Sequence, residues 1–344
     1  MTQASVLLIY TGGTIGMKED PVSQTLRPFD FSGIMDEVPE LRKFALTIDS
    51  CTFDPLIDSS DVEPSLWQKI ADIIKEKYDN YDGFVILHGT DTMAYSASAL
   101  SFMLEGLGKP VIFTGSQLPI GRPRTDGKEN LISSVEIATA KDGNGNPMVP
   151  EVCIFFNSRL YRGNRCTKVS STDFDAFSSP NYPALAQAGI SIKYDTKRIH
   201  YQSRPAGSLS IHTELDTRVS IMKIHPGITE SVARYCLLGD AIRACILETY
   251  GSGNSISKGW FIDIVREATL KGKILLNVTQ CLSGDVNMDL YATGRALKDA
   301  GVISGGDMTT ESALGKLFFL MGKYSDNERV KAALAENLRG EMSK

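Results

Sequence analysis

The sequence predicts an α/β protein of two domains, and three observations carry that prediction. Short apolar runs such as residues 83–88 (GFVILH) show no polar alternation, as expected of strands buried on both faces of a parallel sheet. Between such runs lie stretches whose apolar residues recur at steps of three and four, the period of an amphipathic helix. At 344 residues the chain exceeds one ordinary domain, and a stretch at 196–218, poor in apolar residues and holding Lys, Arg, Ser, Pro and Gly, interrupts the pattern.

Taken in order, residues 6–10 read as a strand ending at Thr11-Gly12-Gly13-Thr14. Residues 64–77 read as a helix. Pro64 suits its first turn, and Leu66, Ile70, Ile73 and Lys77 share a face. The strand at 83–88 is followed by a helical stripe of Met93, Ala97, Leu100, Leu104 and Leu107, then by strands at 111–114 and 152–156. Strand, helix and strand repeated in this way imply parallel βαβ units with right-handed crossovers. Such sheets bind ligands beyond the carboxyl ends of their strands. After the interruption, strands at 219–224, 244–247 and 273–278 and helices at 229–238, 257–271 and 309–322 predict a smaller second α/β domain. The expected division is 1–195, a linker at 196–218, and 219–344.

Composition narrows the function. The formal net charge is −5 with both signs dispersed, so the basic stripe that nucleic acid requires is absent, as is a surface suited to an anionic membrane. Cys51, Cys153, Cys166, Cys236, Cys245 and Cys281 form no CxxC pair, and no His/Cys cluster has metal spacing, so neither metal nor cofactor is expected. Scattered thiols, an N-terminus without a basic leader and no apolar run near the roughly 18 residues of a membrane span point to the cytoplasm.

Four polar clusters carry the chemistry. Thr11-Gly12-Gly13-Thr14-Ile15-Gly16 could turn sharply, approach a ligand closely and offer a threonine nucleophile with backbone N–H donors; the bland alternative is a strand–helix turn with a capping threonine. A dinucleotide fingerprint fails in both registers, because position 11 is Thr in one and positions 14 and 17 are Thr and Met in the other. Asp58-Ser59-Ser60-Asp61 could hold the carboxylate and ammonium of an α-amino acid, or cap the helix that begins at Pro64. His88-Gly89-Thr90-Asp91-Thr92 lies at a helix N-terminus, which favours negative charge. There Asp91 or Thr92 could equally be a cap and His88 a core histidine. Arg162 to Lys168 (RGNRCTK) follows the strand at 152–156, and Lys168 is either a base or a solvated lysine.

These clusters, in this order, resemble the asparaginase family. Residues 11–16 (TGGTIG) and 83–92 (GFVILHGTDT) are similar to its two signatures. Residues 81–119, 159–165 (RLYRGNR), 174–180 (FDAFSSP) and 291–294 (YATG) resemble its cytoplasmic, type I branch. The resemblance implies a larger N-terminal α/β domain with a parallel-rich sheet and a smaller, doubly wound C-terminal α/β domain. It implies a homodimer, often paired into a tetramer, that hydrolyses L-asparagine to L-aspartate and ammonia. Thr14 would be the acylated nucleophile. Thr90, Asp91 and Lys168 would form a second catalytic set. Gly13, Asp58, Ser59, Ser60, Asp61, Gly89, Thr90 and Asp91 would bind substrate, and Asn254 would come from a neighbouring subunit.

Two departures from the family pattern matter. Many relatives place a tyrosine in the loop after the first signature, whereas residues 17–31 contain none; either Tyr291 substitutes or Thr14 is activated differently. Positions matching an asparagine effector site include Thr167, Thr279, Gln280 and Cys281, but Glu248 stands where cooperative relatives carry an arginine. An acid there repels the effector carboxylate that arginine clasps, so weak or absent activation is expected. Cys281 could instead be a buried structural thiol. Two other readings remain: an amidotransferase-type subunit, whose relatives carry an extra N-terminal domain, and a non-catalytic amino-acid sensor.

Overall fold

Apolar runs without a polar side must be covered on both faces, and the structure places them in the middle of a sheet. It is a computed structural model that describes residues 3–19, 26–28, 34–200 and 209–343. The chain separates into two compact units. One holds the residues up to Ser179 with Pro183–Thr213, the other Pro180–Tyr182 with Glu214–Lys344.

In the first unit the strands are β1 (Ala4–Tyr10), β2 (Leu46–Thr52), β3 (Gly83–Leu87), β4 (Val111–Thr114), β5 (Val152–Phe156), β6 (Arg159–Arg162), β7 (Ala186–Gln187) and β8 (Lys193–Tyr194). They form one sheet in the order β8-β7-β6-β5-β4-β3-β1-β2. β1 to β5 are mutually parallel, and β6 to β8 add an antiparallel edge. Every residue of β3, β4 and β5 is buried. β2, whose LTIDSCT carries too few apolar residues to be read as a strand, contains no buried residue because it is the sheet edge. The chain passes from β1 outward to β2, returns to β3 on the other side of β1, then proceeds to β4. Winding therefore reverses between β1 and β3, where an open α/β sheet leaves a crevice at its carboxyl ends.

Three helices connect β2, β3, β4 and β5 in turn. α1 (Pro64–Lys77) has the expected bounds, but its buried face is Leu66, Trp67, Ile70, Ala71 and Ile74. The large Trp67 turns the stripe away from Ile73 and Lys77. α2 (Met93–Met103) ends before the apolar stripe does, because Leu104 and Glu105 leave it to pair with Ser210 and Ile211. α3 (Gly127–Thr139), not read from the sequence, packs against β1, β3, β4 and β5.

The expected path of the fourth cluster needs correction. Asn157 and Ser158 have φ of 46° and 63°, a two-residue turn of the kind that matches hairpin twist, and they send the chain back antiparallel as β6. Gly163 then crosses α2, where an added Cβ would lie 3.1 Å from the Ala97 side chain. Only afterwards does a short hairpin, Thr167–Lys168 against Phe177–Ser178, carry Lys168 to its place.

The second unit has a four-stranded parallel sheet, β9 (Val219–Lys223), β10 (Ala244–Thr249), β11 (Ile274–Thr279) and β12 (Ile303–Ser304), in that order. α4 (Glu230–Leu238), α5 (Gly259–Leu270) and α6 (Ala292–Asp299) share one core with Cys245, Leu247 and Leu275. α7 (Thr310–Lys323) packs on β9, β10 and β11 and is followed by α8 (Asn327–Leu334). Ala244, Ile246, Ile274 and Leu276 alternate with the residues of that core and are fully buried, so both sheet faces are covered and the unit is doubly wound. Within the stretch read as a linker, residues 201–208 lie outside the described residues. Asp216 belongs to the second unit and holds Arg218 at 2.7 Å and Arg243 at 3.0 Å. No helix among the described residues is long and apolar enough to cross a membrane.

Candidate active site

β1 and β3 run side by side with Tyr10 level with Leu87, so the segments that follow them emerge together. The backbone N–H and the hydroxyl of Thr11 both donate to the Leu87 carbonyl at 3.0 Å. Gly12 and Gly13 then take φ of 138° and 91°, conformations that a side chain resists. A Cβ on Gly13 would lie 2.6 Å from the Gly89 backbone, and one on Gly89 would lie 2.5 Å from Ser59 Oγ. Thr92 Oγ1 also donates to the Ser59 carbonyl at 2.7 Å. The first three clusters thus meet at the point where the winding reverses.

The fourth cluster joins them through its lysine. Lys168 Nζ donates to Thr90 Oγ1 at 2.8 Å and to Asp91 Oδ1 at 2.6 Å. The Lys168 side chain is 18% exposed and that of Asp91 63%, so the set faces solvent from a mostly covered lysine. Thr92 is the N-cap residue of α2 but makes no capping bond, and Asp91 turns to Lys168 instead, so neither side chain is spent on the helix end.

Thr14 begins a one-turn helix, Thr14–Gly16, with Gly13 at its N-cap, and is half-buried. Among the described residues no group hydrogen-bonds to its hydroxyl. Part of the 17–31 loop lies outside the described residues. In the second cluster the capping alternative describes Asp58 alone: its carboxylate accepts from the Ser60 N–H and Oγ, both at 2.9 Å, closing the turn Ser59–Asp61. Those bonds, the backbone one foremost, hold the Asp58 carboxyl below its usual range. The residue before Pro64 is Glu63, which caps nothing, and Ser60 and Asp61 stay exposed.

His88, from the third cluster, and two residues outside the four polar sets, Tyr10 and Gln117, support this site. His88 is buried, and its ring pKa is pushed down to about 4 by desolvation. The Gly89 carbonyl, which can only accept, lies 2.7 Å from Nδ1, so Nδ1 carries the hydrogen and Nε2 accepts from Ser96 Oγ at 2.9 Å. Ser96 in turn accepts from the Trp67 indole at 2.8 Å. His88 is therefore a satisfied core histidine that also fixes the Gly89–Thr90 turn. Tyr10, its hydroxyl pushed up to about 12 by burial, lies beneath the glycine turn where a Cβ on Gly16 would meet its ring at 2.2 Å. Gln117, beyond β4, has Oε1 3.5 Å from Thr90 Oγ1. GFVILHGTDT signalled His88; nothing in the sequence pointed to Tyr10 or Gln117.

The remaining candidate residues fall mainly in the second unit. Asn254 closes a tight turn with Tyr250, and its Oδ1 accepts from Thr293 at 2.9 Å. Glu248 Oε1 accepts from Thr310 at 2.6 Å, with Lys223 Nζ 3.8 Å from its other oxygen. Thr279 Oγ1 donates to the Gly251 carbonyl at 2.6 Å, and Gln280 Nε2 bridges the carbonyls of Ile224 and Glu248. Cys281 is exposed rather than a buried thiol, because it follows the strand end in a surface loop. Tyr291 is 53% exposed at the start of α6. Thr167 belongs to the first unit, in the Lys168 hairpin.

Family models described as Asparaginase, N-terminal and as Glutaminase/Asparaginase C-terminal domain match residues 5–200 and 218–334. L-asparaginase 1 of Escherichia coli is 46% identical over all of this chain and 99% of its own. The crystal structure of L-asparaginase I from Vibrio cholerae superposes with a TM-score of 0.89 at 43% identity, covering both chains completely. A glutamyl-tRNA(Gln) amidotransferase component from Pyrococcus horikoshii is 33% identical over 98% of this chain but only 76% of its own. The fold, the paired signatures and these matches together define one class, and the chain belongs to the asparaginase family. Within it, the full-length likeness is to asparaginases of the first bacterial type.

Proposed function

We propose that this enzyme hydrolyses L-asparagine to L-aspartate and ammonia, with Thr14 as nucleophile and Thr90, Lys168 and Asp91 as the proton-handling set. The observation that carries the reading is the Lys168 ammonium, held between Thr90 Oγ1 and Asp91 Oδ1 at 2.8 and 2.6 Å beside the glycine turn. Thr14 Oγ attacks the side-chain amide carbon and gives its proton to the Thr90–Lys168 pair, with Lys168 as the neutral amine; backbone N–H groups of the glycine turn receive the developing oxyanion, and the pair returns the proton to the nitrogen, which leaves as ammonia. Water then attacks the β-aspartyl ester, giving one proton to the pair of Thr90 and neutral Lys168, which passes it to the departing Thr14 Oγ and so regenerates the threonine. Ser59, Ser60 and Asp61, with Gly13, Gly89 and the Asp58-capped turn, hold the α-carboxylate and α-ammonium. Asn254 completes the site from a neighbouring subunit. The exposed Leu282, Leu290 and Tyr291 support a surface that another copy covers in a cytoplasmic dimer or tetramer.

Ammonia release from L-asparagine and L-glutamine, wild type against Thr14→Ala, tests the reading. Asparagine turnover is expected, and its loss in the variant. A folded wild type that releases ammonia from neither amide sinks the assignment in favour of a sensor or partner-dependent subunit. The same concentration series is expected to be hyperbolic, because Glu248, engaged by Thr310 and Lys223, sets an acid where an effector carboxylate would sit. A sigmoidal curve would refute that part.

A further inference from the structure

We infer that Gln117 is a positioning residue for the Thr90 hydroxyl and the Lys168 hairpin, an inference that rests on the proposed role of Thr90. Lys168 Nζ donates to Thr90 Oγ1, so the hydrogen of Thr90 itself must point elsewhere. Gln117 Oε1, 3.5 Å away, accepts it. That contact is long for a hydroxyl donor, as catalytic hydrogen bonds often are before substrate closes the site. The other end of the same side chain is firmly placed: Nε2 donates to the Asp173 carbonyl at 3.0 Å. Asp173 lies in the loop joining the two strands of the hairpin that carries Lys168, and its N–H and carboxylate are tied to Ser170 Oγ at 3.0 and 3.1 Å.

Gln117 is itself held from behind. Its backbone N–H meets both oxygens of Asp126 at 3.1 and 3.0 Å, and the next N–H, of Leu118, meets one of them at 3.1 Å. Asn130 Nδ2 supports the other Asp126 oxygen at 3.3 Å and the Gly115 carbonyl at 3.0 Å. The tip of β4 is thus a braced platform from which one amide spans the gap between Thr90 and the lysine's hairpin. Its carbonyl holds the Thr90 hydrogen while Nζ is an ammonium donating to Thr90, and its amide sets the distance across which that hydrogen passes once Nζ is the neutral amine that can accept it.

The test is kcat and KM for L-asparagine across pH for wild type, Gln117→Leu, Gln117→Glu, Thr90→Val and the Thr90→Val/Gln117→Leu double variant. Gln117→Leu is expected to lower kcat by about tenfold or more while KM stays within about twofold, the mark of an interaction that acts in the chemical step. Gln117→Glu keeps the acceptor for the Thr90 hydrogen but loses the donor to the Asp173 carbonyl, so it too falls below wild type. In the Thr90→Val background Gln117→Leu costs less than it does in wild type, because the share of its effect carried by the Thr90 hydroxyl is already gone. Wild-type kcat and pH profile in Gln117→Leu, with Thr90→Val inactive, overturns the inference and leaves the reading of Thr90 intact. Full turnover by Thr90→Val overturns that reading and the inference with it. Equal losses from Gln117→Leu in both backgrounds mean that the residue is merely structural.

Discussion

Two lysine–carboxylate pairs in this molecule have the same 2.6 Å separation and opposite settings. Lys168 and Asp91 stand at the strand ends of the first unit, with side chains 18% and 63% exposed. Lys316 and Glu341, in the second unit, are fully buried. The ammonium of Lys316 also donates to the carbonyls of Leu334 and Glu336, while Glu341 accepts from the N–H groups of Leu338 and Arg339. No hydrogen of that ammonium is left to give, and the pair pins the C-terminal segment onto α7. Burial still disfavours its charge and lowers the Lys316 pKa, against the pull of Glu341. Lys168 is spent on one carboxylate oxygen and one hydroxyl that a reaction can use. The difference teaches that separation alone does not assign a role; what else the ammonium holds, and whether a ligand can reach it, does.

Removing each lysine should break the comparison most sharply. Lys168→Met is expected to cut asparagine turnover by about 10²–10⁴-fold, as loss of a proton-transfer group does, while changing unfolding free energy by less than about 1 kcal/mol. Lys316→Met leaves Glu341 buried without its cation and is expected to cost about 3–5 kcal/mol of stability. Its kcat per folded molecule should be unaffected. Steady-state kinetics beside denaturant titration measures both, and a Lys316 variant of normal stability would dissolve the contrast.

His88 sharpens the comparison along pH, being buried like Lys316 yet part of the active-site frame. Its pKa is about 4 when folded, against an ordinary value of 6.5. The unfolded chain therefore binds a proton that the folded chain refuses. The stability of the neutral state is complete above pH 6.5 and is lost as pH falls from there toward 4, by about 3 kcal/mol in all. Denaturant titrations between about pH 7 and 4 should show this slope in wild type and a shallower one in His88→Gln. Equal slopes would remove His88 from the account.

The smallest effect concerns the helix that carries Lys316. Thr309 caps α7 by accepting from the Ser312 N–H at 3.2 Å. Thr309→Ala should cost about 1 kcal/mol and leave turnover unchanged. A loss as large as that of Lys316→Met would mean that the cap, rather than the ion pair, holds the C-terminal segment.

Some of this was legible in the amino-acid order. β3, β4 and β5 are apolar throughout because both sheet faces cover them, and that leaves a mark in any short window. β2 left none, since an edge strand has little to bury. The glycine turn and the HGTDT set were visible as polar clusters after apolar runs, but each by itself was equally a turn or a cap. Their meeting is a tertiary fact. Gly13 touches Gly89 because β1 and β3 are neighbours, although β2 and α1 intervene in sequence. Lys168 reaches Thr90 only after a hairpin and a crossing over α2, a separation of 78 residues. Residue order determined which groups the protein owns and which segments prefer strand or helix, because those preferences are local. Which carboxylate keeps its lysine free, and which amide stands behind a threonine, was decided by packing, because burial and hydrogen-bond partners exist only once distant segments are brought together.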